Sequence, residues 1–310
     1  MSTTKTRTDI KSLISALYTS RTLLVNIFFV AIFVILIVSF YSPRYVIKYI
    51  KKHYNLADTN VIVPSGIESY DFVDSNSLSH NYYIRKSKAD APMSRQGVMD
   101  VILYVPGGAF ISCNPFLPEA IYEILNYDVV SFRYPIRPEN TINQSIRWLA
   151  ECISHIIEQY QKLTKFEHLF FHIVCYSAGA FYASLIINQL NSKYHRHIAN
   201  MFMICGYYGK ESISNKLIFQ AFDKLYWSSI LNSNNYTVSA VDVTNMDLCV
   251  ISADGDFLLE STKYFSYLNG LVPIIFKGDH LFLYTSEEGK KAAEYIQKVI
   301  QTPQYKLEYS

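Results

Sequence analysis

From about residue 61 onward, apolar positions follow two alternating rhythms. Short runs, continuous or every second residue, occur at SYDFVD (69–74), NYYIR (81–85), VMDVILYV (98–105), YDVVSF (127–132), HLFFHIVC (168–175), NMFMIC (200–205), DLCVIS (247–252) and VPIIF (272–276). Several are β-branched and bounded by Gly, Pro, Asn or Asp, the pattern of strands buried on both faces. Between them, apolar residues recur at helical spacing over Thr141–Tyr160, Ala178–Leu190, Glu260–Leu268 and Glu287–Gln301. This alternation predicts an α/β fold, a mostly parallel sheet flanked by helices. The first two strands have no helix between them, which predicts an antiparallel edge. Lys210–Asn235 is the least regular stretch and is expected to form part of a lid over the sheet.

The chain before residue 61 has a different pattern. Thr22–Phe40, TLLVNIFFVAIFVILIVSF, is 19 residues without a charge. As a helix it would be about 28 Å long, close to the ~30 Å hydrocarbon core of a bilayer. A cleaved signal peptide has a shorter apolar region and an A-x-A-like site, which does not follow Ser39. A buried soluble helix rarely lacks a polar face over five turns. The expectation is therefore an N-terminal transmembrane helix. On this expectation residues 1–21 are a tail in which Ile10, Leu13, Ile14 and Leu17 space as an amphipathic helix, 22–40 the anchor, 41–60 a juxtamembrane linker and 61–310 the α/β domain. Lys and Arg flank both ends of the anchor in similar numbers, so the positive-inside rule assigns no orientation.

Composition narrows the classes further. The chain has 310 residues, 50% hydrophobic, and a formal net charge of +2, enough for a sizeable core and without a nucleic-acid footprint. Cys175, Cys205 and Cys249 sit in apolar runs and none of the five cysteines has C-x-x-C spacing, so buried free thiols are expected. Sequons at Asn143 and Asn235 are compatible with a lumenal or extracellular domain, and two chance matches are ordinary in a chain this rich in Asn and Ser.

The candidate chemistry lies at strand ends. HLFFHIVC runs into Tyr176-Ser177-Ala178-Gly179-Ala180 and then a helical pattern. Strand, tight turn and helix around a serine are the setting of a G-x-S-x-G nucleophile elbow, here with Cys175 in place of the first Gly. Alone, S-x-G is a weak signal, and a turn serine is the ordinary reading. Upstream, VILYV ends in Pro106-Gly107-Gly108-Ala109-Phe110, where two glycines let backbone N–H groups approach a developing negative charge. The N–H of Ala178 would be the remaining oxyanion donor, although a simple Pro-Gly turn explains the loop without it.

A serine nucleophile needs an imidazole base, and that base needs a carboxylate. Only His280 follows residue 197, directly after VPIIF. The loop after DLCVIS offers Asp256 and the competing Asp254, with Asp279 a weaker third. Singly, each aspartate reads as a solvated turn residue and His280 as a structural hydrogen-bonding group. Together, at strand ends and in the order Ser, Asp, His, they read as a triad.

These motifs resemble the hormone-sensitive-lipase-like branch of the α/β-hydrolases, which includes arylacetamide deacetylases, over roughly Tyr70 to Ile300. VPGGAF (105–110) is similar to the family's H-G-G-G-F loop, with Pro106 in the His position. Phe132-Arg133 through Pro138-Glu139 is similar to Y-R-x-A-P-E, and Cys175 to Gly179 is similar to G-D-S-A-G. Asp256-Phe257-Leu258-Leu259-Glu260 resembles D-x-L-x-D-E, which selects Asp256 over Asp254, and His280-Leu281-Phe282 resembles H-x-F. The resemblance implies an α/β-hydrolase fold and a triad of Ser177, Asp256 and His280. It also implies an oxyanion hole from Gly107, Gly108 and Ala178, and no metal or organic cofactor. Several family members also carry an N-terminal membrane helix.

The departures are Pro106, which lacks the histidine side chain that helps hold the loop, Cys175, which is bulkier than Gly, and Tyr176, which replaces an acid. The expected function is a membrane-anchored serine hydrolase of apolar, lipid-like, acetyl or sterol esters, single-pass, with the endoplasmic reticulum as the candidate membrane. The alternatives are an inactive pseudohydrolase serving as a tethered scaffold, and acyl transfer to an alcohol. Phe110, Phe116, Phe181, Tyr182, Tyr207 and Tyr208 lie in or beside the expected site loops, where aromatics suit an apolar group, although core packing is their commoner role.

Overall fold

The computed structural model describes residues 61–88, 97–137, 139–163, 168–208 and 246–302. Within them the chain forms strands β1 (Ile67–Val73), β2 (Ser79–Arg85), β3 (Val98–Val105), β4 (Asp128–Phe132), β5 (His168–Tyr176), β6 (Ile198–Ile204), β7 (Asp247–Ala253) and β8 (Ile274–Phe276). The described helices are α1 (Glu119–Leu125), α2 (Ile142–Leu163), α3 (Ala178–Ile186), α4 (Ser192–His195), α5 (Leu259–Leu268), α6 (Phe282–Thr285) and α7 (Glu287–Gln301). The eight strands make one sheet in the order β1-β2-β4-β3-β5-β6-β7-β8. β1 pairs with β2, and β2 with β4, antiparallel; every other pairing is parallel. The expected antiparallel edge is present, and the parallel strands are covered on both faces.

The continuous apolar runs have a direct use. On β3, Val101, Leu103 and Val105 face a core built with α2 and α3, while Ile102 and Tyr104 face a second core built with α1 and α7. Alternating side chains thus fill two layers of core, so no polar face is needed. α2 begins where Thr141 and Gln144 satisfy each other: Thr141 Oγ1 accepts from the Gln144 N–H at 3.2 Å, and Gln144 Oε1 accepts from the Thr141 N–H at 2.7 Å. This is a capping box. α3 ends at Ile186 rather than Leu190, because the N–H groups of Gln189 and Leu190 both turn back to the Ile186 carbonyl. α1 has no counterpart among the expected helices.

Among the described residues, no helix is long and apolar enough to cross a membrane. The anchor (22–40), the tail and linker around it, the 210–235 segment and the Asn235 sequon lie outside the described residues. Asn143 is exposed in the first turn of α2. Cys113, Cys152, Cys175 and Cys205 are buried free thiols, and Cys249 is partly buried.

One tight turn supports the antiparallel edge. Asp74, after β1, accepts from the N–H groups of Asn76 and Leu78 at 2.9 and 2.8 Å, and pairs with Arg147 of α2 at 3.1 Å. Burial acts to raise its carboxyl pKa, but those two N–H groups and the guanidinium outweigh it, and the net shift is downward. Asp74→Ala leaves these part-buried donors to water and is expected to cost about 1 kcal/mol, read as a lower midpoint in denaturant. Because the folded-state pKa is depressed, this contribution is full above the usual carboxylate range. It fades as pH falls below about 4, so the wild-type advantage over the variant should shrink there.

Candidate active site

β5 ends at Tyr176, and Ser177 follows with φ 53° and ψ −118°, after which α3 begins at once. A non-glycine residue in this backbone region stores about 1–3 kcal/mol of strain, sustained only by the structure around it. The Ser177 N–H is held by the Ile204 carbonyl at 2.8 Å, and its carbonyl accepts from the Ala180 N–H at 3.1 Å. Gly179 is required: a Cβ there would sit 2.1 Å from the Val105 carbonyl oxygen, so a side chain would push α3 away from β3.

Cys175 does not crowd the elbow. Its side chain is fully buried in the α2/α3 core, and its thiol donates to the Phe202 carbonyl on neighbouring β6 at 3.2 Å.

His280 and Asp256, the expected base and acid, arrive on two loops that are fastened together. The N–H of Asp254 donates to the Phe276 carbonyl at 2.9 Å and that of Gly255 to the Gly278 carbonyl at 2.8 Å. Asp254 Oδ1 accepts from the Gly278 N–H at 3.0 Å. Asp254 is therefore an exposed staple between the loops, and Asp279 is exposed and accepts from the Leu281 N–H at 2.8 Å. Only Asp256 points inward. His280 Nδ1–H donates to Asp256 Oδ1 at 2.8 Å, and Ser177 Oγ–H donates to His280 Nε2 at 3.0 Å.

The carboxylate fixes the tautomer with the proton on Nδ1, leaving the Nε2 lone pair toward the serine. Asp256 also accepts from the Leu258 N–H at 2.9 Å and, through Oδ2, from Ser252 Oγ–H at 3.0 Å. Burial works to raise its carboxyl pKa, yet His280, the Leu258 N–H and the Cys205 thiol lower it on balance. Asp256 thus stays ionised at neutral pH.

The loop after β3 wraps the other side of Ser177. A Cβ on Gly107 would meet the Ser177 Cβ at 2.8 Å, so the loop passes directly beside this serine. Gly108 (φ 134°), Ala109 (51°) and Phe110 (66°) all have positive φ. The Gly108 carbonyl turns inward to accept from the N–H groups of Ile111 and Ser112. Among the described residues, the N–H groups of Gly107 and Gly108 donate to no protein acceptor, and that of Ala178 opens a helix and has no intrahelical partner. All three expected donors are thus uncommitted: Gly107 lies against Ser177, Ala178 follows it in the chain, and Gly108 is next along the loop.

Tyr134 was not singled out by sequence. Its buried hydroxyl donates to the Pro106 carbonyl at 2.7 Å and holds the loop from beneath. A side-chain donor from β4's far end thus supplies the fastening that the family resemblance assigns to a histidine. Tyr134→Phe should lower kcat by up to about tenfold, the worth of one such hydrogen bond, with KM unchanged, as steady-state kinetics would show.

Of the six aromatics expected near the site, Phe110, Phe181, Tyr182, Tyr207 and Tyr208 are core residues, packed edge-to-face or stacked and essentially inaccessible. Only Phe116 is partly open, against Tyr83. The apolar groups at the site are instead Phe257 and Leu281, each 52% exposed, with the Phe257 ring 4.4 Å from that of His280. Their signal in the sequence was adjacency to the triad acid and base.

No protein-family description matches the sequence, and no curated protein matches it. Solved structures do. An esterase from Pyrobaculum calidifontis superposes with a TM-score of 0.60 at 15% identity, over 82% of this chain and 92% of that one. The thermophilic carboxylesterase EstE1, cloned from a metagenomic library, superposes with a TM-score of 0.58 at 15% identity, over 84% and 96%. The ester-hydrolase EH1AB1 from the Lake Arreo metagenome gives 0.59 at 16%, over 82% and 88%. Likeness at these identities establishes a shared fold.

Proposed function

We propose that this chain, an α/β-hydrolase by fold, is a working serine carboxylesterase, held to a membrane by residues 22–40 and acting on apolar, lipid-like esters. The observation that carries the reading is the unbroken hydrogen-bonded line from Ser177 through His280 to Asp256. His280 takes the Ser177 proton as the oxygen attacks the ester carbonyl. Asp256 stabilises the resulting imidazolium, and the N–H groups of Gly107, Gly108 and Ala178 receive the oxyanion. His280 then protonates the leaving alcohol. In the second half-reaction it deprotonates a water that releases the acid from the acyl-serine.

Phe257 and Leu281 at the rim support an apolar substrate, and the uncharged Thr22–Phe40 segment supports delivery from a bilayer. The scaffold alternative drew on Pro106 and Cys175. Tyr134 supports the first, and the β5–β6 thiol contact accommodates the second.

The test uses the full-length chain in detergent, with p-nitrophenyl esters of increasing acyl length and a fluorophosphonate probe. A phosphonate derivative is bound in the Lake Arreo enzyme of the same fold. Turnover and labelling are expected; a folded protein that does neither overturns the catalytic reading. Anchoring predicts that the chain stays with membranes after alkaline carbonate extraction, and its release overturns that part.

A further inference from the structure

The triad acid sits in a polar cradle that the mechanism above does not use. Ser252, fully buried near the end of β7, donates its hydroxyl proton to Asp256 Oδ2 at 3.0 Å. Cys205, the residue after β6, is also fully buried, and its sulfur is 4.0 Å from Ser252 Oγ. The sulfur, an Asp256 oxygen and a His280 ring nitrogen all lie within 4.8 Å of one another. Ser252 has one hydroxyl proton and Asp256 takes it, so in the contact between Ser252 and Cys205 the thiol donates to Ser252 Oγ, and the line of donors runs Cys205 to Ser252 to Asp256.

The backbone carries a second sign. Cys205 has φ 49°, a conformation costly for a non-glycine residue, and its N–H is clamped to the Ile251 carbonyl beside Ser252 at 2.9 Å. The thiol is part of the second core cluster, where Ser252 Oγ is its hydrogen-bonding neighbour.

We propose that Cys205 and Ser252 are a positioning pair for the triad acid. Ser252 holds the outer oxygen of the Asp256 carboxylate and the Cys205 thiol holds Ser252, so that Oδ1 stays aimed at His280 as the imidazolium forms. The inference rests on the hydrolase reading above. Burial and the neighbouring carboxylate raise the Cys205 thiol well above its ordinary pKa, so it remains a protonated donor across the working pH range. The titratable groups facing Asp256 are His280 from the β8 loop, Cys205 from β6, Tyr176 from β5 and Tyr208 beyond β6. Removing a donor concentrates negative charge on Oδ1 and stabilises protonated His280. The acid limb of the activity profile should then move to higher pH.

The experiment compares Cys205→Ala, Cys205→Ser and Ser252→Ala with wild type, all as full-length chains checked for folding by circular dichroism. Cys205→Ala and Ser252→Ala should each lower kcat roughly tenfold with KM unchanged and move the acid limb of kcat/KM upward. Cys205→Ser removes the same sulfur but restores a donor, and should return both kcat and the limb toward wild type. If Cys205→Ser and Cys205→Ala behave alike, or neither alanine variant moves the limb, the side chains only fill space and the inference fails while the hydrolase reading stands. An inactive wild type would instead overturn the hydrolase reading, and this inference with it.

Discussion

Ser177→Ala is expected to abolish ester turnover, lowering kcat by roughly a millionfold and removing fluorophosphonate labelling altogether. The size of the loss follows from the geometry. Ser177 Oγ is the group joined to His280 Nε2, at 3.0 Å, and no acyl-enzyme forms without it. The hydroxyl makes no helix-capping bond, and alanine keeps the same backbone demand at φ 53°, so the thermal midpoint should stay within a few degrees of wild type. Residual labelling in the variant would mean that another nucleophile does the chemistry.

Gly108→Ala is the second large effect, expected to lower kcat by about 10²–10³-fold, the cost of losing one oxyanion donor. A methyl group at residue 108 would stand 2.1 Å from the Ser112 carbonyl oxygen, at φ 134°, which L side chains rarely adopt. The loop must therefore shift, and with it the N–H groups beside Ser177. Ground-state binding does not use those donors fully, so KM should change little and the loss should appear in kcat. Circular dichroism would show the fold intact, because the affected turn lies outside the sheet. An unchanged kcat would remove this loop from the catalytic apparatus.

Much of this was legible in the linear pattern, for reasons that differ by element. β3 and α7 fall where the pattern placed them, because continuous apolar strands and a capped amphipathic helix are locally encoded. Ser177, Asp256 and His280 stood out because each follows a strand within a few residues, and the structure brings the three side chains into one hydrogen-bonded line. The choice of Asp256 over Asp254 needed the family resemblance, and the structure explains it by burial and by the staple to Gly278. α1 escaped because seven residues after Pro118 are too short to show a period. Tyr134 and Cys205 escaped for another reason: each reaches a residue far away in the chain, Pro106 and Ser252, and one-dimensional spacing carries no trace of that. Ser252 lies only four residues before Asp256, but within a continuous apolar strand nothing marks it. The aromatics misled in the opposite direction. Tyr207 and Tyr208 lie close to the site along the chain, yet their rings pack inward, Tyr208 flat against Phe265 of α5 at 4.0 Å.

The nucleophile and its base are 103 residues apart in the chain, on loops after β5 and β8. A ribosome that has released everything through β7 has therefore made a sheet with a serine but no imidazole to activate it. On the proposed reading, hydrolytic capacity switches on only as the final stretch emerges and β8 docks, so the growing polypeptide passes most of its synthesis holding a serine without its base.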